Sequence, residues 1–315
     1  MNSKLDISRR EALGFAASTA ASAVLPALPA WAQAAANVLK RPIPVSGEML
    51  PVIGIGTALI FEFPEDDKAK ATMEERAGVL RALVAGGGSL VDTAYSYGAA
   101  EERIGLLLEQ LGLRDKIFLA TKARVDDRTG TVASFERSLK LLRTNRVELM
   151  QLHNPKDPNQ DLGPYREFKQ QGRAKYFGFS SSFDRDYGAV EDVLKKQKPD
   201  FFQIDYSMVD RNSEDRLIPA AKDMGAAVLT NLPFGRGKFF QKVRGKALPE
   251  WATKELGVTS WAQYSLKWAL GNPGVTAVIP GTDKAEFMVD NLKAGTGVMP
   301  DAAMRKKMVE HFDAL

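Results

Sequence analysis

The sequence predicts one (β/α)8 barrel, an α/β fold, and three observations predict it. Short apolar runs alternate with amphipathic stretches along the chain, and no domain-scale linker separates them. Eight such runs can be counted, each followed by a helical pattern. Three consecutive runs end on polar side chains able to do chemistry, at the strand ends where an α/β barrel keeps its active site. A doubly wound sheet would want a Gly-rich fingerprint early in the chain, and there is none.

The elements follow in order. Residues 37–51 are polar and turn-rich around Ser46-Gly47, which reads as a hairpin. The first barrel strand is expected at 52–57, where Gly54 and Gly56 mark a close approach. That approach is either the wall of a ligand site or the tight packing of a narrow barrel. A helix over 70–85 stops at Gly86-Gly87-Gly88 before a strand at 89–94. Helices at 101–111, 134–142, 165–171, 189–196 and 214–224 then alternate with strands at 117–122, 147–153, 175–180, 201–206 and 227–232. A helix at 261–270, a strand at 275–279 and a helix at 286–293 complete the set, and a helix-like stretch at 301–312 closes the chain. Residues 233–256 read as the longest irregular insertion. Gly235-Arg236-Gly237 and Lys238 lie beyond the seventh strand, where barrels commonly hold phosphate, and the two cations suit a pyrophosphate. Residues 242–246 alone fit a mobile surface loop equally well.

Composition narrows the function. The chain has 315 residues, 44% hydrophobic and 26% charged, enough for one large α/β domain and unlike a disordered chain. Its 43 basic and 39 acidic residues are scattered, without the Lys/Arg density of a nucleic-acid footprint, so no nucleic-acid partner is expected. With no cysteine there is neither disulfide nor thiolate nucleophile, and two distant histidines make a structural metal site an unfavoured reading.

The chemistry centres on residues 91–98, Val91-Asp92-Thr93-Ala94-Tyr95-Ser96-Tyr97-Gly98. Here a buried strand runs into a carboxylate and then a phenol before Gly98 breaks the chain. Lys122 closes the next strand and His153 the one after. Taken singly, Asp92 reads as a helix cap, Tyr97 and His153 as packing, and Lys122 as a surface or Schiff-base lysine. Taken together, Asp92-Thr93-Ala94-x-x-Tyr97-Gly98, Thr121-Lys122 and Leu152-His153-Asn154 resemble the Asp, Tyr, Lys, His tetrad of the aldo-keto reductases. The resemblance runs from about residue 40 to near the C-terminus, and the four tetrad residues in family order carry it.

The resemblance implies that the hairpin plugs the bottom of the barrel and that a carbonyl is reduced with a nicotinamide cofactor. A phenol of pKa ~10 is a poor acid at neutral pH, and a cation within a few Å stabilises its anion. Tyr97 is then the expected general acid, Lys122 the cation that tunes it, and Asp92 the carboxylate that keeps Lys122 charged. His153 is expected to orient the substrate carbonyl rather than to bind a metal. Further cofactor positions follow on the same ground: Gly56 and Thr57 in the first strand, Ser180, Ser181 and Gln203 at the carboxamide, and Asn231 and Pro233 beside the ring. Gly281, Thr282, Lys284, Asp290 and Asn291 match the family's adenosine-phosphate motif. This chain departs from the family at Ser181 (usually asparagine), Asn231 (often a stacking tyrosine) and Phe287 (often an arginine over the 2′-phosphate). Lys284 would be a point-charge substitute for that arginine. NADP is expected from family habit, with NAD open. Tyr95, Phe61, Phe63 and Asn154 fit either a carbonyl-binding mouth or barrel packing. A dinucleotide-binding sensor with negligible turnover is the alternative reading.

Residues 1–32 read as a segment outside the fold, which leaves 33–315 for the barrel. Lys4, Arg9 and Arg10 make a positive start, residues 13–30 are mildly apolar and Ala-rich, and Ala30-Trp31-Ala32 offers a small-x-small cleavage site. Ser8-Arg9-Arg10-Glu11-Ala12-Leu13 resembles the twin-arginine export signal, which implies the export machinery as a partner and a periplasmic or other extracytoplasmic destination. An uncleaved anchor and an amphipathic helix on the barrel stay open. Ser18, Thr19, Ser22, Pro26 and Pro29 interrupt the apolar run and oppose a spanning helix of ~20 residues.

Overall fold

The chain enters the fold through the expected hairpin. In the computed structural model, which describes residues 38–123, 127–155, 157–182 and 186–315, β1 (Lys40–Pro42) pairs antiparallel with β2 (Met49–Pro51). Residues 1–32, with the proposed export segment, lie outside the described residues. Eight parallel strands follow: β3 (Ile55–Gly56), β4 (Leu90–Asp92), β5 (Phe118–Ala123), β6 (Val147–His153), β7 (Ala174–Ser180), β8 (Phe201–Asp205), β9 (Ala227–Asn231) and β10 (Ala277–Val278), hydrogen-bonded in that order. A parallel bridge between Ile53 and Val278 brings first and last together, with Gly54 N donating to Val278 O at 2.9 Å and Val278 N to Val52 O at 2.9 Å. The sheet thus closes into the predicted (β/α)8 barrel.

Helices cover it: α1 (Ala69–Ala85), α2 (Ala100–Leu111), α3 (Arg128–Leu141), α4 (Gly163–Gln170), α5 (Tyr187–Gln197), α6 (Leu217–Asp223), α7 (Lys238–Val243), α8 (Glu250–Leu256), α9 (Trp261–Leu270), α10 (Ala285–Lys293) and α11 (Ala302–Asp313). Helix α3 starts six residues before its expected position because Asp127 caps it, accepting from Gly130 N at 2.7 Å. Residues 214–224 divide into a 3-10 turn (Asn212–Glu214) and α6, with Pro219 inside the first turn, where it is tolerated. Residues 233–256 depart most from expectation, forming a 3-10 turn (Gly235–Gly237), α7 and α8 rather than irregular chain. Nor is 242–246 a free loop, since Lys242 Nζ donates to Asp313 O at 3.1 Å and Trp261 Nε1 to Lys246 O at 2.9 Å.

Inside the barrel, alternation along each strand sets the layers. Leu90, Phe118, Ala120, Leu149, Tyr176, Phe201, Ala227, Leu229, Ala277 and Ile279 form one buried apolar cluster with Ile43 and Leu50 of the hairpin. The hairpin therefore plugs the N-terminal end, as the family resemblance implied. The opposite faces of the strands meet the helices in a second, larger core.

Candidate active site

Two residues beyond four of those apolar positions, the same alternation turns polar side chains inward. Leu90 leads to Asp92 on β4, Ala120 to Lys122 on β5, Leu149 to Gln151 on β6 and Phe201 to Gln203 on β8. All four are at most 2% exposed. Parallel register sets Lys122 beside Gln151, and Gln203 beside Ser180. One polar layer thus caps the apolar interior at the C-terminal end of the strands.

Lys122 holds the layer together. Its ammonium donates to Asp92 Oδ2 at 2.5 Å and to Thr93 O at 2.9 Å, and lies 5.1 Å from the centre of the Tyr97 ring. Burial alone would lower its pKa, but attraction to Asp92 and to Tyr97 outweighs it and holds the ammonium above the usual lysine range. Burial in turn raises the Asp92 carboxyl, while Lys122, Gln203 and Gln151 act against the rise. His153 stands edge-on to Tyr97 and to Tyr95, at ring separations of 6.2 and 6.1 Å. Burial and the Lys122 charge push its pKa down to about 4, so the imidazole is neutral at physiological pH.

A cavity of about 480 Å³ opens over this group and is lined by Asp92, Tyr97, His153 and Asn154. Of the expected cofactor positions, Gly56, Thr57, Gln203, Asn231, Pro233, Arg236, Gly237 and Gly281 line it too. Gly56 meets both expectations at once, since a Cβ there would stand 3.0 Å from Ile279 O while the residue also forms cavity wall. An adjoining cavity of about 330 Å³ shares Arg236 and adds Gly235 and Lys238. Another, of about 510 Å³, shares Phe234 and Gly281 and adds Thr282, Asp290 and Asn291 along with Trp261 and Phe287. A larger one of about 680 Å³ lies at the hairpin end, lined by Leu50, Phe118 and Glu148, far from the polar layer.

Four expected positions line none of these cavities. Lys122 is sealed beneath Asp92, and Ser180 and Ser181 are buried behind the wall. Lys284 is exposed, its ammonium 5.8 Å from the Phe287 ring. Asp290 is already engaged, accepting from Ser260 Oγ at 2.5 Å and Gln263 Nε2 at 2.6 Å. Of the residues open between mouth and packing, Asn154 lines the cavity, Phe61 is fully buried core, and Phe63 lies under the Arg103 guanidinium at 3.7 Å. Backbone strain falls beside the site, with Asn154 (φ 55°) and Leu232 (φ 50°) each in the left-handed region directly after a barrel strand.

The buried polar atoms of Ser181 Oγ, Asn231 Oδ1, Asn154 Oδ1 and Thr282 Oγ1 have no partner among the described residues. Such groups are usually satisfied. A hydroxyl donor and an amide acceptor near Gln203 are the complement of a carboxamide. Gln151 is not among the residues expected at the site. Its signal was a lone amide amid Leu149, Met150 and Leu152.

Fold and polar layer define an α/β-barrel enzyme. The Aldo/keto reductase family model matches residues 52–307, and the chain belongs to that family of oxidoreductases. It is 27% identical to the aldo-keto reductase str7 of Strobilurus tenacellus over 274 residues, 74% of this chain and 81% of that one. It is 26% identical to the uncharacterized oxidoreductase YqkF of Bacillus subtilis over 293 residues, 81% and 90% of the two chains. An aldo-keto reductase from Klebsiella pneumoniae, solved in complex with NADPH, shares the fold with a TM-score of 0.74 at 23% identity, over 87% of this chain and 95% of that one.

Proposed function

We propose that the protein reduces an aldehyde or ketone to an alcohol with a nicotinamide dinucleotide, NADPH by the precedent of the Klebsiella structure, and with Tyr97 as general acid. The observation that carries this is the Lys122 ammonium, buried beside the Asp92 carboxylate and the Tyr97 ring, which themselves line a cavity. A nicotinamide bound there supplies the hydride for the carbonyl carbon. Asn231 and Gln203, both on the cavity wall, would hold its carboxamide, the unpartnered Asn231 Oδ1 accepting from the amide, and Ser181 Oγ, behind that wall, would reach it through a bridging water. Arg236 and Lys238, on the wall of the adjoining cavity, would hold the pyrophosphate. Neutral His153 donates a ring N–H to the substrate carbonyl, and Tyr97 delivers the proton to that oxygen as charge builds on it. Lys122 stabilises the phenolate left behind.

The test is NADPH oxidation across a panel of aldehydes and ketones, with thermal shifts for NADPH and NADH measured alongside. Carbonyl-dependent oxidation supports the reductase. Tight dinucleotide binding without turnover on any carbonyl supports a sensor instead, and trapping of substrate on Lys122 by borohydride supports a Schiff-base lyase.

We also propose that residues 1–32 direct export to the periplasm or another extracytoplasmic compartment, on the motif around Arg9-Arg10 and the Ala30-Trp31-Ala32 site. Replacing both arginines by lysine should leave the full-length protein in the cytoplasm, and unchanged fractionation would sink the proposal.

A further inference from the structure

One member of the polar layer has no part in the chemistry above. Gln151 sits in β6 with its side chain wholly buried, at a position where the alternation of the strand asks only for an inward residue. Its Nε2 donates to Asp92 Oδ1 at 3.1 Å and to Gln203 Oε1 at 3.0 Å. Gln203 Nε2 donates in turn to Asp92 Oδ2 at 3.3 Å, so the three side chains close a ring. Gln151 Oε1 has no partner among the described residues, a burial cost that leucine would avoid. What the amide offers in return is its donor end.

That donor end fixes a direction. With Gln203 Oε1 turned to Gln151 and Nε2 to Asp92, a flip of the Gln203 amide would set its carbonyl oxygen against a carboxylate. The same Gln151 amide shares the carboxylate that holds Lys122.

We infer that Gln151 is a positioning residue, which locks the Gln203 amide in one sense and ties it to the Lys122–Asp92 pair, so that the cofactor wall and the proton-tuning cation are set by one hydrogen-bonded ring. The functional consequence rests on the proposed dinucleotide reading. The ring itself does not.

Two variants test it. Gln151→Leu removes the donors at similar volume. Gln151→Glu removes them while ionised and regains one O–H donor when protonated. Affinity for NADP⁺ is read by fluorescence titration between about pH 8 and pH 5.5, on variants whose melting confirms folding, and a crystal structure of Gln151→Leu shows where the Gln203 amide goes. Binding by Gln151→Leu should be at least about fivefold weaker at every pH. Gln151→Glu should be similarly weak at high pH and recover toward wild type as pH falls, a rescue that simple packing would not produce. In the crystal, the Gln203 amide should leave its contact with Asp92. Wild-type affinity with parallel pH dependence in both variants, or an unmoved Gln203, would overturn the inference. If the wild-type protein bound no dinucleotide, the proposed function would fail, and the crystal structure would still decide the ring.

Discussion

At Lys122 burial and pairing oppose each other, and pairing wins because the Asp92 oxygen is 2.5 Å away. Removing the cation alone leaves a buried carboxylate unpaired, so Lys122→Met should cost about 3–5 kcal/mol in chemical denaturation. Adding Asp92→Asn should recover much of that loss, whereas strictly additive losses would contradict the pairing. His153 gives a pH test with a definite sign. Its pKa of about 4 lies below the ordinary 6.5, so as pH falls the unfolded chain takes up the proton first. The stability due to its neutral form is complete above about pH 6.5 and is lost as pH falls toward 4, roughly 3 kcal/mol over the window. The stability difference between wild type and His153→Gln should therefore drift toward the variant across that window. A constant difference would mean that the imidazole is not held neutral. At this scale Asp92, Tyr97, Lys122 and His153 were legible because each ends or follows an apolar run. Gln151 was not, since nothing in a strand sequence tells which neighbour an inward amide meets across the barrel.

Among the elements, strands and long helices could be read from their periods, and the segment after β9 could not. Gly235, Gly237, Gly245 and Pro249 give residues 233–256 the composition of a loop, and helices of six and seven residues are too short to show an apolar stripe. Tertiary packing makes them helical. Phe239 of α7 is fully buried and stacks on Phe312 of α11 at 5.1 Å. Phe239→Ala should cost about 3–5 kcal/mol by thermal or chemical denaturation, and a loss under 1 kcal/mol would show that the segment is not anchored there. Ser260 serves two elements, capping α9 through Gln263 N at 3.1 Å and donating to Asp290 of α10 at 2.5 Å. Ser260→Ala should cost about 1 kcal/mol or somewhat more, and an unchanged midpoint would argue against the cap.

For the whole molecule, closure of the barrel gathers residues distant in sequence into one layer, from Asp92 on the second barrel strand to Gln203 on the sixth. The hairpin packs into the other end of the barrel interior, so under the proposed function substrate and dinucleotide would share the C-terminal mouth. Shortening the chain to start at Gln33 should leave its melting temperature and any turnover unchanged, because residues 1–32 are read as lying outside the barrel. A drop of several degrees would place that segment within the fold. The proposed reduction depends on Tyr97 giving up a proton beside Lys122, and the decisive measurement is steady-state NADPH oxidation by wild type and Tyr97→Phe on a reactive aldehyde. The prediction is a loss of at least about 10²-fold in kcat with NADPH affinity within about threefold of wild type; turnover that survives the substitution would contradict it.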